Sequence, residues 1–427
     1  MLLKILQKLL AWFARRVIKK YKPITIGITG SVGKSSAKEA IYVVLKDRFS
    51  CRRSVKNYNN EMGVPLTVLG HYSPGKDIVG WLRVFLDNII FQTKFYPRIL
   101  ILEMAADRIG DIEYLVNIIP LNIGVVTAVS PAHTEFLGSL EDVAKEKQML
   151  IDKLPSNGWA ILNADDEKVI SMRDKTAARI ITFGLSEAAD VRAIEIALEQ
   201  ELRGNKVVIK GLKFKVDYAG SVVPVFLPNV IAKSQIYAVL AAVAAGITFD
   251  LNLIEITESL KKYQPLPGRM TLIPGVQDTL IIDDTYNSSP KAAQLALETL
   301  REIKIYPQGK KWVVLGDMRE LGYLSQQSHY DIGKKVAEMG FDCLLTVGQE
   351  AKEIAHGASQ FGMSKNKIFS FENLELVAEF LKEKVKRGDI LLIKGSQAMR
   401  MEKIVKGIML EPQKAESILV RQDKEWL

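Results

Sequence analysis

From Pro23 onward the chain alternates short, unbroken apolar runs with stretches of helical period. ITIGIT (24–29), RILILEMA (98–105), NIGVVTAV (122–129) and GWAILNA (158–164) are too short for core helices and lack polar alternation. That pattern belongs to strands buried on both faces of a parallel sheet. The first run leads into a Gly-rich turn and a helix predicted through about Leu45. Between Asp190 and Leu227 the helical period vanishes, and hairpin-like strands are expected as an antiparallel appendage of the same domain. Helical sequence returns from Ile231 to Tyr263, and Gln264-Pro-Leu-Pro-Gly268 punctuates the chain. Five further apolar runs, beginning at TLIIDDT (279–285) and ending at DILLIKGS (389–396), again alternate with helices. The expectation is an α/β protein: a central P-loop-type parallel-sheet domain over residues 23–268 with a β-rich appendage, then a Rossmann-like doubly wound C-terminal domain over 269–427.

Residues 1–22 follow a different pattern. At helical spacing Leu2, Leu6, Leu9, Trp12, Phe13 and Val17 share one face, while Lys4, Lys8, Arg15 and Lys19 share the other. The segment suits an interfacial helix on an anionic membrane, and equally an amphipathic helix packed on its own protein with its lysines reaching water. Periodicity alone does not separate the two. Basic residues interrupt it too often for a membrane span, and a signal peptide would need an unbroken apolar stretch.

Composition changes this picture little: 427 residues, 48% hydrophobic and 25% charged, exclude fibrous or disordered classes. Of 58 basic against 49 acidic residues, seven basic ones and no acid lie in 1–22, so the remaining body is nearly neutral. The net charge of +9 is therefore a property of the N-terminus, and no nucleic acid partner is expected. With two cysteines, Cys51 and Cys343, the chain has no disulfide framework, and a cytoplasmic location is expected, at most peripheral at the inner membrane face.

The strongest chemical signal is Gly30-Ser31-Val32-Gly33-Lys34-Ser35-Ser36 between a strand and a helix. Such a loop aims backbone N–H groups and a helix N-terminus at phosphates, with Lys34 as a mobile cation and the Ser35 hydroxyl available to Mg²⁺. Position 28, a glycine in the longer Walker spacing, is Ile28. Glu103 ends an apolar strand, where a parallel sheet presents ligand groups and a hard cation finds a carboxylate. His133 follows another strand and is one of four histidines.

These blocks, with Asn57–Pro65, Glu103–Asp107, Ser130–Gly138, Val143–Lys147, Asn163–Asp166, Pro267–Arg269, Asp283–Asn287, Gly316–Gly322 and Lys394–Ser396, stand in the order found in Mur ligases. The chain resembles that family from about residue 23 to about residue 408, and is most similar to the type that adds D-alanyl-D-alanine to a UDP-N-acetylmuramoyl-tripeptide. The resemblance implies ATP-dependent, ADP-forming amide ligation in peptidoglycan precursor synthesis, through an acyl phosphate, on a cell-wall precursor peptide and a dipeptide. It implies that Lys34 meets the β/γ-phosphates and that Ser35 and Glu103 hold one of two Mg²⁺ ions. His133 and a carbamylated lysine would serve the second, with Lys147 the aligned candidate and Lys145 the fallback. Asn60 would face substrate, and Arg269, Asp284 and Asn287 would close over ATP, with Asp317 and Lys394 facing the same cleft.

Two features depart from the family. Only residues 1–23 precede the first strand, so the UDP-gripping domain that full-length Mur ligases carry there is expected to be missing. Where the family shows Gly-x-His-Asn near the adenine, this chain reads Ile231-Ala-Lys-Ser-Gln-Ile-Tyr237. Alternatives are a relative ligating another acceptor, such as folate, a polyglutamate-type chain or lipid-linked cell-wall material, and a P-loop ATPase without ligase activity.

Overall fold

A computed structural model describes residues 2–55, 58–90, 95–130, 138–203 and 206–422. Fifteen strands among these residues form two sheets. The first contains β1 (Ile24–Thr29), β2 (Cys51–Arg53), β3 (Ile99–Glu103), β4 (Ile123–Val126), β5 (Trp159–Asn163), β6 (Arg179–Gly184), β7 (Val191–Arg203), β8 (Lys206–Tyr218) and β9 (Ser221–Pro228). Its order is β2-β3-β1-β4-β5-β6-β7-β8-β9. The pairs from β2 to β7 are parallel, and β7-β8-β9 continue the same sheet as an antiparallel meander. The β-rich appendage is thus an extension of the parallel sheet rather than a separate layer.

The chain visits β2 and β3 on one side of β1 and then crosses to β4 on the other, so a crevice opens beyond the C-terminal end of β1. Ile28 pairs with Glu103 in register, which brings the end of β3 beside the loop that follows β1. The helix Lys34–Leu45 covers the sheet there and packs against the alanine-rich helix Ser234–Ile247, whose small side chains let the two approach closely.

The second sheet contains β10 (Thr271–Pro274), β11 (Leu280–Asp284), β12 (Lys311–Gly316), β13 (Cys343–Val347), β14 (Ile368–Phe371) and β15 (Ile390–Lys394), in the order β10-β11-β15-β12-β13-β14. All its pairs are parallel except β10 with β11. Helices lie on both faces, each over its own apolar cluster. One of these clusters takes in Ile209, Ile231 and Ala232 of the first lobe, packed with Ala293, Leu297 and Leu300 of the second. Polar contacts reinforce the seam: Lys233 pairs with Glu302 at 2.6 Å, and the Lys304 amide donates to Gln200 Oε1 at 2.9 Å.

The N-terminal segment is the helix Leu2–Tyr21. It packs on the first lobe through Leu10, Phe13, Ala14 and Val17, all buried. This corrects the apolar face read from spacing: Leu9 and Trp12 point to solvent, while Leu10 and Ala14 take the core side. No helix among the described residues is long and apolar enough to cross a membrane.

Candidate active site

The loop after β1 is fixed by the end of β4. At Gly30 φ is +144°, and an added Cβ would lie 2.0 Å from Thr127 Oγ1, so only glycine fits. Thr127 Oγ1 donates to the Val32 carbonyl at 2.6 Å, the Ser31 amide donates to the Ala128 carbonyl at 2.7 Å, and Ser31 Oγ donates to the Ser130 carbonyl at 3.0 Å. The helix Lys34–Leu45 starts at Gly33 with no capping side chain, leaving its first-turn amides open to ligand oxygens. Ser36 lines the same space. Lys34 Nζ folds back onto the Gly30 carbonyl at 2.6 Å. Burial pushes the Lys34 ammonium below its ordinary pKa, with Arg269 adding to the effect and Glu103 and Asp107 opposing it. A cation this poorly solvated gains most when phosphate oxygens arrive.

Glu103 is buried at the floor. Its Oε1 accepts from Ser35 Oγ at 3.1 Å and from Asn59 Nδ2 at 3.2 Å, while Oε2 has no hydrogen-bond donor among the described residues and faces the Lys38 ammonium at 3.4 Å in an ion pair. Burial alone would raise this carboxyl; Lys38, Lys34, Arg269 and the Asn59 amide outweigh it and hold the pKa below the usual carboxylate range. Ser35 Oγ and an ionised carboxylate are hard oxygen donors and fit Mg²⁺. Among the described residues no three His, Cys, Asp or Glu side chains cluster as a metal cage.

The second lobe closes the space. Arg269, just before β10, donates from Nη2 to Ser35 Oγ at 3.1 Å and lies over the Tyr286 ring, 4.0 Å from its centroid. Asp284 at the end of β11 pairs with Lys394 at the end of β15 at 2.6 Å, and Lys394 also donates to the Asn287 carbonyl at 2.9 Å. Together Lys34, Glu103, Arg269, Asp284, Asn287 and Lys394 line a cleft of about 310 Å³ between the lobes. Asp317 is buried beneath it, with Oδ1 accepting from the Ala351 amide at 2.9 Å and Oδ2 facing Arg319, also at 2.9 Å.

Lys147 and Lys145 lie on the helix Leu140–Asp152, Lys147 buried and Lys145 exposed. Glu146 anchors that helix by accepting from the Gly110 and Ile112 amides, each at 2.7 Å. No ion pair to Lys147 occurs among the described residues, and burial, with Lys34 nearby, lowers its pKa to about 7. Lys147 does not line the cleft, although Lys34 and Asp107, which influence its charge, do. Asn60 lines the cleft and uses Oδ1 to accept from the Gly63 amide at 2.9 Å, starting the helix Gly63–Leu69. His133 lies outside the described residues.

At the departure from the family pattern, Ser234 and Gln235 line the cleft, with Gln235 Oε1 accepting from Tyr263 Oη at 2.6 Å. Tyr237 Oη donates to Asp165 at 3.0 Å. Sequence reasoning missed Lys38, Asn59 and Tyr286. Asn59 and Tyr286 sit inside recognised blocks and Lys38 just past one, but nothing in their spacing separates them from solvated neighbours.

Comparison with known proteins agrees with this architecture. Residues 89–246 match the Mur ligase middle domain, and residues 268–397 match the Mur ligase, glutamate ligase domain. The chain is 27% identical over 399 residues to UDP-N-acetylmuramoyl-tripeptide--D-alanyl-D-alanine ligase of Bacillus subtilis, covering 93% of this chain and 79% of the relative. The Mycobacterium leprae enzyme of the same name is 30% identical over 395 residues, covering 88% and 71%. A crystal structure of MurF ligase from Thermotoga maritima in complex with ADP superposes with a TM-score of 0.77 at 28% identity, covering 96% of this chain and 84% of that one.

Proposed function

The chain belongs to the Mur ligase family, and on that premise we propose that it is an ATP-dependent, ADP-forming ligase that adds D-alanyl-D-alanine to a UDP-N-acetylmuramoyl-tripeptide. The observation that carries this reading is the two-lobed cleft, in which a phosphate-binding loop and cations from both lobes face one another.

The tripeptide carboxylate attacks the γ-phosphorus of ATP, ADP departs, and an acyl phosphate forms. The dipeptide amine then attacks the acyl carbon, loses a proton, and expels inorganic phosphate. Both partners of the first step are anions, so positive charge must be concentrated where they meet. Lys34 and the loop amides receive the β/γ-phosphates, Arg269 brings charge from the linker, and the Asp284–Lys394 pair positions the second lobe. Ser35 and Glu103 would hold Mg²⁺, which supplies charge neutralisation on the phosphates when bound. A carbamate on Lys147, with His133, would hold a second ion. Its support is an amine that is buried, without a carboxylate partner among the described residues, and largely neutral above pH about 7. A neutral amine attacks CO₂, whereas an ammonium does not. Asn60 would contact substrate, a role supported by its position in the cleft lining.

The reading includes a cytoplasmic site of action and peripheral contact of residues 1–22 with an anionic membrane, supported by seven basic residues and no acid there. That contact favours lipid-linked cell-wall material as the second reading of the acceptor. The test is phosphate release from ATP in the presence of tripeptide precursor and dipeptide: Lys34→Ala is expected to abolish it with thermal unfolding unchanged. Turnover retained in that variant would remove the loop from the mechanism.

A further inference from the structure

Eight exposed large apolar residues of the first lobe lie on two neighbouring helices, four on each. The helix Leu2–Tyr21 needs one apolar side to pack on its own protein and uses Leu10, Phe13, Ala14 and Val17 for it. It carries a second strip, Ile5, Leu9 and Trp12, at spacings of four and three residues; Leu9 and Trp12 are 43% and 52% exposed. Next to that strip runs a third, Lys4, Lys8, Arg15 and Lys19, all exposed. The helix Ile78–Ile90 behaves alike: Val84 is buried, while Ile78, Val79, Leu82 and Leu86 are exposed, Ile78 by 76% and Leu82 by 56%. Phe13 and Phe85 stack at 5.3 Å and join the helices along the edges of their exposed strips. Leaving this much apolar surface in water is unfavourable unless something covers it.

The charge pattern says what does. Between the same helices lies a cavity of about 350 Å³, lined by the cations Arg16, Lys20 and Arg52, with His71, Asn88 and Asp87. Arg16 and Lys20 stand exposed at the cavity, and Arg16 lies over the Trp12 ring at 5.7 Å. Arg52 uses Nη1 on the Val68 carbonyl at 2.8 Å and lies over Tyr96. Asp87, 3.9 Å from Arg83, is the acid facing this group of cations. Apolar strips beside basic ones, above a cation-lined recess, match the acyl boundary and headgroups of an anionic bilayer.

We infer that the helices Leu2–Tyr21 and Ile78–Ile90 form one docking surface for an anionic phospholipid bilayer, with the cavity between them receiving a lipid headgroup phosphate. This goes beyond the contact of residues 1–22, because half of the surface comes from a segment far along the chain. It is also independent of the ligase chemistry.

The test is cosedimentation of the full chain with vesicles of phosphatidylcholine, with and without about 30% phosphatidylglycerol. Binding is expected only with the anionic lipid, weakening as salt rises. The double variant Leu82→Glu and Leu86→Glu changes only exposed positions and is expected to weaken binding about tenfold or more, with ATP-dependent phosphate release unchanged. Arg16→Ala with Lys20→Ala is expected to flatten the salt dependence. Without any substitution in the second helix, quenching of Trp12 by brominated lipid, read as the difference between wild type and Trp12→Phe, is expected to place the indole at the acyl boundary. Wild-type affinity in the double glutamate variant would overturn the two-helix surface, and equal binding to neutral vesicles would overturn the headgroup site. Absence of binding to any vesicle would overturn the inference entirely. Phosphate release, measured in parallel, reports on the ligase reading alone.

Discussion

Arg269 donates a hydrogen bond to Ser35 Oγ across 3.1 Å, joining the linker between the lobes to the phosphate-binding loop. Its Nε is buried without a hydrogen-bond partner among the described residues, and its planar group lies on Tyr286. A guanidinium held in this way is ready for an anion and is not replaced by a point charge. Arg269→Lys is expected to lower kcat/KM by about a hundredfold, with most of the loss in KM for ATP. Steady-state kinetics with ATP varied check this; a variant within a factor of about two of wild type would mean that Arg269 merely fills the seam.

Gly30 tests the loop by geometry. With φ at +144° and Thr127 Oγ1 2.0 Å from a built Cβ, Gly30→Ala must displace the loop or Thr127. Phosphate release is expected to fall below detection and the Tm by several degrees, corresponding to roughly 1–3 kcal/mol. An active Gly30→Ala protein would show that the loop does not need this conformation.

Asp283 gives a pH-dependent prediction. It is fully buried beneath Asp284, and burial, opposed by hydrogen bonds from Thr285, raises its pKa to about 6. Because the folded pKa lies above the unfolded value, ionised Asp283 costs stability. The cost is absent below pH about 4, grows as pH rises toward about 6, and is complete above that. Asp283→Asn keeps the acceptor for Thr285 and is expected to stabilise the protein by roughly 1–3 kcal/mol at pH 7.5 and not at pH 4. Urea unfolding at both pH values decides it; an equal effect at both would assign the change to packing.

Lys147 carries the carbamate proposal. Its amine is largely neutral above pH about 7, so activity recovered by bicarbonate after degassing is expected to rise from pH 6 to pH 8. Lys147→Ala is expected to lose activity about a hundredfold or more and to regain part of it with a short carboxylic acid supplied in solution. Activity indifferent to CO₂ would point to an ordinary lysine.

Much of this was legible from residue pattern. The unbroken runs at 24–29, 98–105 and 122–129 read as buried parallel strands because both faces are covered by helices, and the structure places β1, β3 and β4 there. Gly30–Ser35 was readable because a phosphate loop constrains residue type at each step. The partners of Glu103 were not: Lys38 reaches it from one helical turn past Ser35, and Asn59 from a separate loop. The outer strip of the first helix was also hidden. A helix with two apolar sides and one basic side looks, in one dimension, like a helix with a single broad face, so spacing alone groups Leu9 and Trp12 with Phe13.

The most direct measurement is mass analysis of the product formed by the full chain from ATP, UDP-N-acetylmuramoyl-tripeptide and D-alanyl-D-alanine. The account predicts a precursor heavier by the dipeptide less one water, formed in equal amount with ADP and phosphate. ADP and phosphate accumulating while the tripeptide stays unmodified would contradict it.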